Sequence, residues 1–413
     1  MVQTVSVPDF NRVSKPRLSA LRFSSRLNNT QLPIIRALTV RATELDAVNL
    51  AGGVPDFPAP PELKAAAVEA ILGDFNQYAP TQGVAELRAG IAGRLTRRHG
   101  VHFDPETEIT VVSGAAEGVA ASLLALLDPG DEVLILEPAF TIYAPDVFLS
   151  GAVPRYVRLR EPDFLIERDS LEAAITSRTR AILLNSPHNP TGRVFTRDEL
   201  AVVADLVRRH DLLVVTDEIY DEIVFNGDNP PRIWNEAGMR ERTVIVNGFS
   251  KTYSVTGWRL GFVVAPSEIS RGIRIAHNYL AMSAAAPLQQ AAIRAVAFPQ
   301  SYYDDLREQY RLRLDLLRSG LERLGIPSSQ PQGGYFLLAD FSGFGWRDDQ
   351  ALAWHLIERT GVAAVPLSGY LSPGSSSNGA FLRFAFCKQV ETLKEALHRL
   401  ENDSSWRTAP TAV

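Results

Sequence analysis

Residues 244–262 read VIVNGFSKTYSVTGWRLGF. The run Val244–Val246 has the β-branched, unbroken apolar character of a strand buried on both faces, and Lys251 stands just past its end. An ammonium left unpaired in a dry place is costly. Lys251 is therefore either a surface lysine at a strand terminus or an amine placed to react. An arginine, Arg259, follows eight residues later. The rest of the chain has to choose between the two readings.

Outward from this stretch, short apolar runs alternate with segments of helical period. The strand-like runs are EITVVSG (108–114), DEVLILEP (131–138), VPRYVRL (153–159), RAILLNSP (180–187), LLVVTDEI (212–219), TVIVNGFSK (243–251) and WRLGFVVAP (258–266). Between them lie helical patterns such as AAEGVAASLLALL (115–127), TIYAPDVFLSG (141–151), DSLEAAIT (169–176) and TRDELAVVADLVRRH (196–210). Near-continuous Val/Ile/Leu strands alternating with helices predict an α/β fold with a mostly parallel, wound sheet covered on both faces. A long helical run at 302–324 leads into a different layout, with GGYFLLADF (333–341), VAAVPLSG (362–369), FLRFAFC (381–387) and a last helix at 390–402. The expected division is an N-terminal arm at 1–30, a large domain at 61–294, and a smaller α/β domain from 31–60 and 295–413.

The bulk properties narrow the function classes. A formal net charge of −5 with 22% charged residues gives no electrostatic case for nucleic acid or an anionic membrane as partner. The single cysteine, Cys387, excludes an internal disulfide framework and a cysteine zinc site. The nearest histidine pair, His99 and His102, lies in a polar turn and lacks metal-ligand spacing. No apolar run approaches the length of a membrane span. Residues 11–30 are basic, serine-containing and free of acid, the composition of a transit peptide, but Asp9 precedes them and they run into a plausible first helix. They read as an arm, and the expected location is cytoplasmic.

In a wound parallel sheet, ligands gather beyond the carboxyl ends of the strands. There the sequence places Asn189 (in NSPHNPTG), Asp217 and Tyr220 (in TDEIY), Lys251, and a small-residue turn, SGAAEG, that opens a helix. Each has an ordinary explanation: NPTG as a turn, the aspartate as a helix cap, the tyrosine as core. Together they share one chemical explanation. A neutral lysine amine forms a Schiff base with a carbonyl; if that carbonyl belongs to pyridoxal 5'-phosphate, the cofactor makes further demands. An aspartate such as Asp217 keeps its ring nitrogen protonated. Asn189 and Tyr220 can donate to its phenolic oxygen. The amides of Ala115 and Ala116, at a helix N-terminus, and the Arg259 guanidinium can hold its phosphate.

With these residues in view, the chain resembles the class I/II aminotransferases of pyridoxal-phosphate fold type I over almost its full length. The resemblance rests on GGVPDFPAPPEL, NQYAPTQGVAELR, EPAFTIYAP, NSPHNPTG, DEIY, FSKTYSVTGWRLGF, GGYFLLADF and LRFAF. NQYAPTQG and NYLAMSAAAPLQQA resemble the kynurenine, glutamine and methionine aminotransferase subgroup. The resemblance implies that Lys251 carries the cofactor and then shuttles a proton, and that Phe140 stacks on the pyridine face. It implies that Tyr78 reaches the cofactor phosphate of a partner subunit, which makes the active unit a homodimer. It also implies that Arg383 grips the substrate α-carboxylate, with Gly53 and Asn189 beside it.

Two positions depart from the pattern. Gly248 stands where some relatives have a phosphate-binding serine, which leaves Ser250 as the candidate; Val54 stands where the subgroup often has phenylalanine. The leading expectation is transfer of the amino group of an L-amino acid with a neutral aromatic, sulfur-containing or amide side chain to a 2-oxo acid. The same scaffold also serves β- or γ-eliminating, replacing and cyclising enzymes. An aminotransferase-like sensor domain of a regulator would need a DNA-binding module, and residues before 31 are too few to hold one.

Overall fold

The structure is a computed structural model that describes residues 24–27, 30–227 and 229–409. The predicted arm at 1–30 and its targeting alternative fall mostly outside the described residues.

Among the described residues twelve strands form: β1 (Val48–Asn49), β2 (Ile109–Val112), β3 (Glu132–Glu137), β4 (Val153–Arg158), β5 (Thr179–Asn185), β6 (Leu213–Asp217), β7 (Thr243–Gly248), β8 (Gly261–Val264), β9 (Phe336–Asp340), β10 (Val362–Ala363), β11 (Val365–Pro366) and β12 (Phe381–Ala385). Seven of them build one sheet in the order β2-β8-β7-β6-β5-β3-β4. The pairs β3–β4, β3–β5, β5–β6 and β6–β7 are parallel, whereas β8 runs antiparallel to both neighbours. The reversal has a local cause: Phe249 to Leu260 form a turn-rich connection back along β7 whose helical part is the single 3-10 turn Thr256–Trp258, with no α-helix to carry a parallel crossover.

Side-chain alternation divides the sheet's two faces. Leu134 and Leu136 of β3 join a core with Leu87 and Ile91 of the helix Ala85–His99, and with Val203 and Leu206 of the helix Arg197–Arg209. Val133 and Ile135 point the other way, onto Val119 and Leu123 of the helix Ala115–Leu126 and Ile273 of the helix Ser267–Ala281. Helix Arg197–Arg209 begins with a capping box, Thr196 and Glu199 each accepting from the other's backbone N–H.

The C-terminal part packs around a three-stranded antiparallel sheet, β11-β12-β9. The sequence run at 362–369 does not form one strand. Val362–Ala363 pairs with Val48–Asn49, and Val365–Pro366 pairs with β12. Leu38 and Leu50 share a core with Tyr310, Phe336 and Phe384, and the same core takes in Ile219 and Tyr220 from just beyond β6. The carboxyl ends of the large sheet are thus covered by the C-terminal layer. The in-register pairing Asn185↔Asp217↔Val246 brings the ends of β5, β6 and β7 to one level beneath that cover.

Candidate active site

The last residue of β6, Asp217, is buried at the floor of this cleft, 3% exposed. Its Oδ2 accepts a hydrogen bond from the Tyr143 hydroxyl at 2.9 Å, and its Oδ1 accepts from the Ile219 N–H at 3.1 Å. Burial pushes its carboxyl up to about 6, against the pull of those two donors and the Lys251 charge. The neighbouring strand end supports the position, because Asn185 Nδ2 donates to the Asp217 carbonyl at 2.8 Å. Asn185 Oδ1 in turn accepts from the Asn189 N–H at 2.8 Å, so one side chain joins the Asp217 segment to the NPTG loop.

Lys251 lies just past β7 and reaches across to the N-terminal segment, donating from Nζ to the Gly53 carbonyl at 3.2 Å. Burial lowers its amine to about 8; the nearby Arg259 and Arg383 also lower it, while Cys387 and Asp217 oppose. The Tyr335 hydroxyl donates to the same carbonyl at 2.8 Å. Gly53 allows this approach because a Cβ there would come within 2.7 Å of the Phe336 ring.

The helix Ala115–Leu126 opens beside these groups. Gly114, its N-cap, has φ +90° and no side chain to cap the first-turn amides of Ala115 and Ala116. A Cβ at Gly114 would come within 2.5 Å of the Arg259 guanidinium, so the missing side chain is what admits that cation to the helix start. Gly261 is needed next to it, since a Cβ there would meet the Ala115 amide at 2.7 Å.

Arg383, on β12, is only 2% exposed. Its Nη1 donates to Asn189 Oδ1 at 2.8 Å and its Nη2 to the Ala51 carbonyl at 2.6 Å, while Nε has no partner. The guanidinium stacks 3.8 Å from the Phe336 ring centroid and 5.0 Å from that of Tyr370. Tyr220 is buried edge-on to Tyr335 and Phe336, with ring centroids 5.1 and 5.9 Å apart, and its phenol is pushed well up by burial.

The structure therefore gathers Lys251, Asp217, Tyr220, Asn189, Gly53 and Arg383 in one cleft, with Ala115, Ala116 and Arg259 at its edge. Phe140 is half-buried and meets Tyr143 edge-on at 5.6 Å. Tyr78 stands 81% exposed and contacts none of these groups. Ser250 is buried in the turn before Lys251. The departure at Gly248 has a steric reason: it pairs with Gly261, and a Cβ would come within 3.0 Å of the Leu260 carbonyl. Among the described residues no group of side chains is arranged to hold a metal ion.

Sequence reasoning missed Tyr143, Asn185 and Tyr335. Tyr143 and Tyr335 lie inside the quoted blocks EPAFTIYAP and GGYFLLADF, and Asn185 is the end of β5, so their positions were visible but their partners were not. It also missed a buried ionic cluster behind the site. Glu218, Asp221 and Glu222, interleaved with Asp217 and Tyr220, face away from the cleft. Glu218 pairs with Arg232 and accepts from Trp234 Nε1, and Glu222 pairs with Arg94 and Arg98 of the helix Ala85–His99.

The pattern of the family "Aminotransferase class I and II" matches residues 46–400. The chain is 40% identical over 386 residues to the probable N-succinyldiaminopimelate aminotransferase DapC of Mycobacterium tuberculosis, covering 91% of this chain and 97% of that protein. It is 34% identical over 376 residues to the methionine aminotransferase of Escherichia coli, again covering 91% and 97%. The solved structure of N-succinyldiaminopimelate aminotransferase from M. tuberculosis superposes with a TM-score of 0.89 at 39% identity, over 92% of this chain and all of that one. Fold and cleft define a fold type I, pyridoxal-phosphate-dependent transaminase. The chain belongs to the class I and II aminotransferases, with a close relation to the methionine and kynurenine enzymes.

The residues present fit pyridoxal 5'-phosphate. An amine lies close to a buried carboxylate, and uncapped helix amides stand beside a guanidinium admitted by a glycine.

Proposed function

We propose that this aminotransferase takes the amino group of an L-amino acid with a neutral aromatic, sulfur-containing or amide side chain and passes it to a 2-oxo acid. Arg383 carries the reading. It is a buried guanidinium with an unpartnered Nε, and its other donors hold only an amide oxygen and a backbone carbonyl. A carboxylate is the ligand that would satisfy it bidentately.

Bound pyridoxal phosphate supplies an aldehyde and a ring that takes up the electron pair released when Cα loses its proton. The chain's own residues do the rest. The Lys251 amine, lowered to about 8, is partly neutral near neutral pH and carries the proton away from the substrate Cα. Asp217, held ionised by Tyr143 and the Ile219 N–H, keeps the ring nitrogen protonated. Tyr220 and Asn189 would donate to the cofactor's ring oxygen. Arg259, Ser250 and the Ala115 and Ala116 amides would hold its phosphate, and Phe140 would stack on its ring. Tyr78, exposed in a single chain, reaches the site of a second copy, so the working unit is a homodimer.

The aromatic rings around Arg383 and the methionine aminotransferase relative support a neutral side chain. A second reading, an N-acylated diaminopimelate donor, is favoured by the 40% identical relative. The test is to give the loaded protein single L-amino acids, or N-succinyl-diaminopimelate, without an oxo acid, and to weigh the products. One 2-oxo acid per site from L-methionine or L-phenylalanine is the expected result. Preference for the acylated donor would move the substrate class, and ammonia release would replace transamination with elimination.

A further inference from the structure

Residues 50–56 form a strap, LAGGVPD, whose backbone is held carbonyl by carbonyl. The Leu50 carbonyl accepts from the Ala385 N–H at 2.8 Å, and the Ala51 carbonyl from Arg383 Nη2 at 2.6 Å. The Gly53 carbonyl accepts from both Lys251 Nζ and the Tyr335 hydroxyl. The Val54 carbonyl accepts from Lys388 Nζ at 2.7 Å, and the Asp56 carboxylate takes the Gln389 N–H and the Thr392 hydroxyl. The strap is thus zipped along 383–392 beside the site.

Two of these donors are the groups that substrate and cofactor need. Once Arg383 turns to a carboxylate and Lys251 to an aldehyde, the Gly53 and Val54 carbonyls keep Tyr335 and Lys388, while the Ala51 and Gly52 N–H groups stay on Asn49 Oδ1 at 3.0 Å. Lys388 is 7% exposed, and this hydrogen bond gives its ammonium a partner in a place where an unpaired cation would be expensive. Tyr335 is fully buried, and its hydroxyl points at the one carbonyl that Lys251 gives up.

We propose that Lys388 and Tyr335 are positioning residues for the substrate, holding Gly53 and Val54 in place against Arg383 when ligands have drawn the two site cations away. This rests on the reading of Arg383 as the carboxylate anchor. A hydrogen bond from a charged donor contributes about 1.5–3 kcal/mol, so loss of Lys388 should loosen the strap by about ten- to a hundredfold.

The test uses the loaded enzyme with L-methionine and 2-oxoglutarate, and the variants Lys388→Met and Tyr335→Phe. Amide exchange at Ala51 and Gly52, whose N–H groups are held by Asn49 Oδ1, should rise at least about tenfold in Lys388→Met, and by less in Tyr335→Phe, which removes a neutral donor. KM for both substrates should rise about tenfold with kcat held within about twofold, because a loosened strap weakens ground-state and transition-state binding alike. Affinity of the cofactor-free Lys388→Met chain for pyridoxal phosphate should stay within about threefold, since Lys388 bonds to the strap and not to a cofactor-holding residue; Tyr335 touches Tyr220, so Tyr335→Phe is read by exchange and KM alone. Unchanged exchange at Ala51 and Gly52, unchanged KM, or a fall in kcat alone would overturn the proposal. Tyr335→Phe leaves the ring packing intact and keeps the question open to refutation if Lys388→Met does not fold. The exchange readout needs no turnover, so a wild-type protein inactive on both substrates would refute the proposed donor class separately from the strap.

Discussion

Removing one hydroxyl, by Tyr143→Phe, should change how the floor of the site titrates. In the native chain the Asp217 carboxylate has two donors, the Tyr143 hydroxyl at 2.9 Å and the Ile219 N–H at 3.1 Å, and burial sets it at about 6. A hydrogen bond to a buried carboxylate is worth about 1.5–3 kcal/mol, and 1.36 kcal/mol is one pKa unit, so the variant's Asp217 should titrate about 1–2 units higher, near 7 to 8. The sign follows from linkage. Tyr143 donates to the ionised form, so its loss favours the protonated form. Binding of a cofactor whose ring nitrogen carries a proton requires the carboxylate. Below about pH 6, where both proteins start protonated, the variant should therefore bind pyridoxal phosphate about ten- to a hundredfold more weakly. The gap should shrink as pH rises through the variant's own pKa and close by about pH 9, where both start ionised. The assay is a titration of the cofactor-free protein at a series of pH values, followed by tryptophan fluorescence. A loss of affinity that is the same at every pH would assign Tyr143 to packing alone, and no loss would refute its hold on Asp217.

Three further outcomes are expected. Capture of pyridoxal phosphate by the empty protein should speed up as pH rises through about 8, where the Lys251 amine becomes neutral; Lys251→Ala should show no borohydride-fixed mass increase while keeping its circular dichroism. Gly248→Ser should lower stability by about 1–3 kcal/mol without tightening phosphate binding, because the added atom meets the Leu260 carbonyl rather than the cleft; tighter binding would refute this. Glu222→Ala should cost about 1–3 kcal/mol by removing the carboxylate that Arg94 and Arg98 share, while Arg98 keeps the Asp221 carbonyl and Arg94 the Tyr303 ring, read as a fall in the denaturant midpoint, and an unchanged midpoint would show that this carboxylate contributes nothing net.

The sequence by itself determined the α/β architecture, the mostly parallel sheet and the family, because each of these is written in local order. Buried parallel strands need unbroken Val/Ile/Leu runs, and blocks such as NSPHNPTG and SKTYSVTGWRLG must keep their residues adjacent to form their turns. It also pointed to Asp217, Asn189 and Lys251 as a set, since strands of one parallel sheet end on one side. Only the tertiary structure decided the partners. Tyr143 reaches Asp217 from 74 residues away, Arg383 reaches Asn189 across 194, and Lys388 reaches Val54 across 334. No periodicity encodes such contacts; they arise when the C-terminal layer closes over the strand ends. The same holds for Glu218, Asp221 and Glu222, whose neighbours in sequence face the site while they face Arg232, Arg98 and Arg94. A run of acids is ambiguous as written, and the side each one takes is chosen by the cations that the fold brings to it.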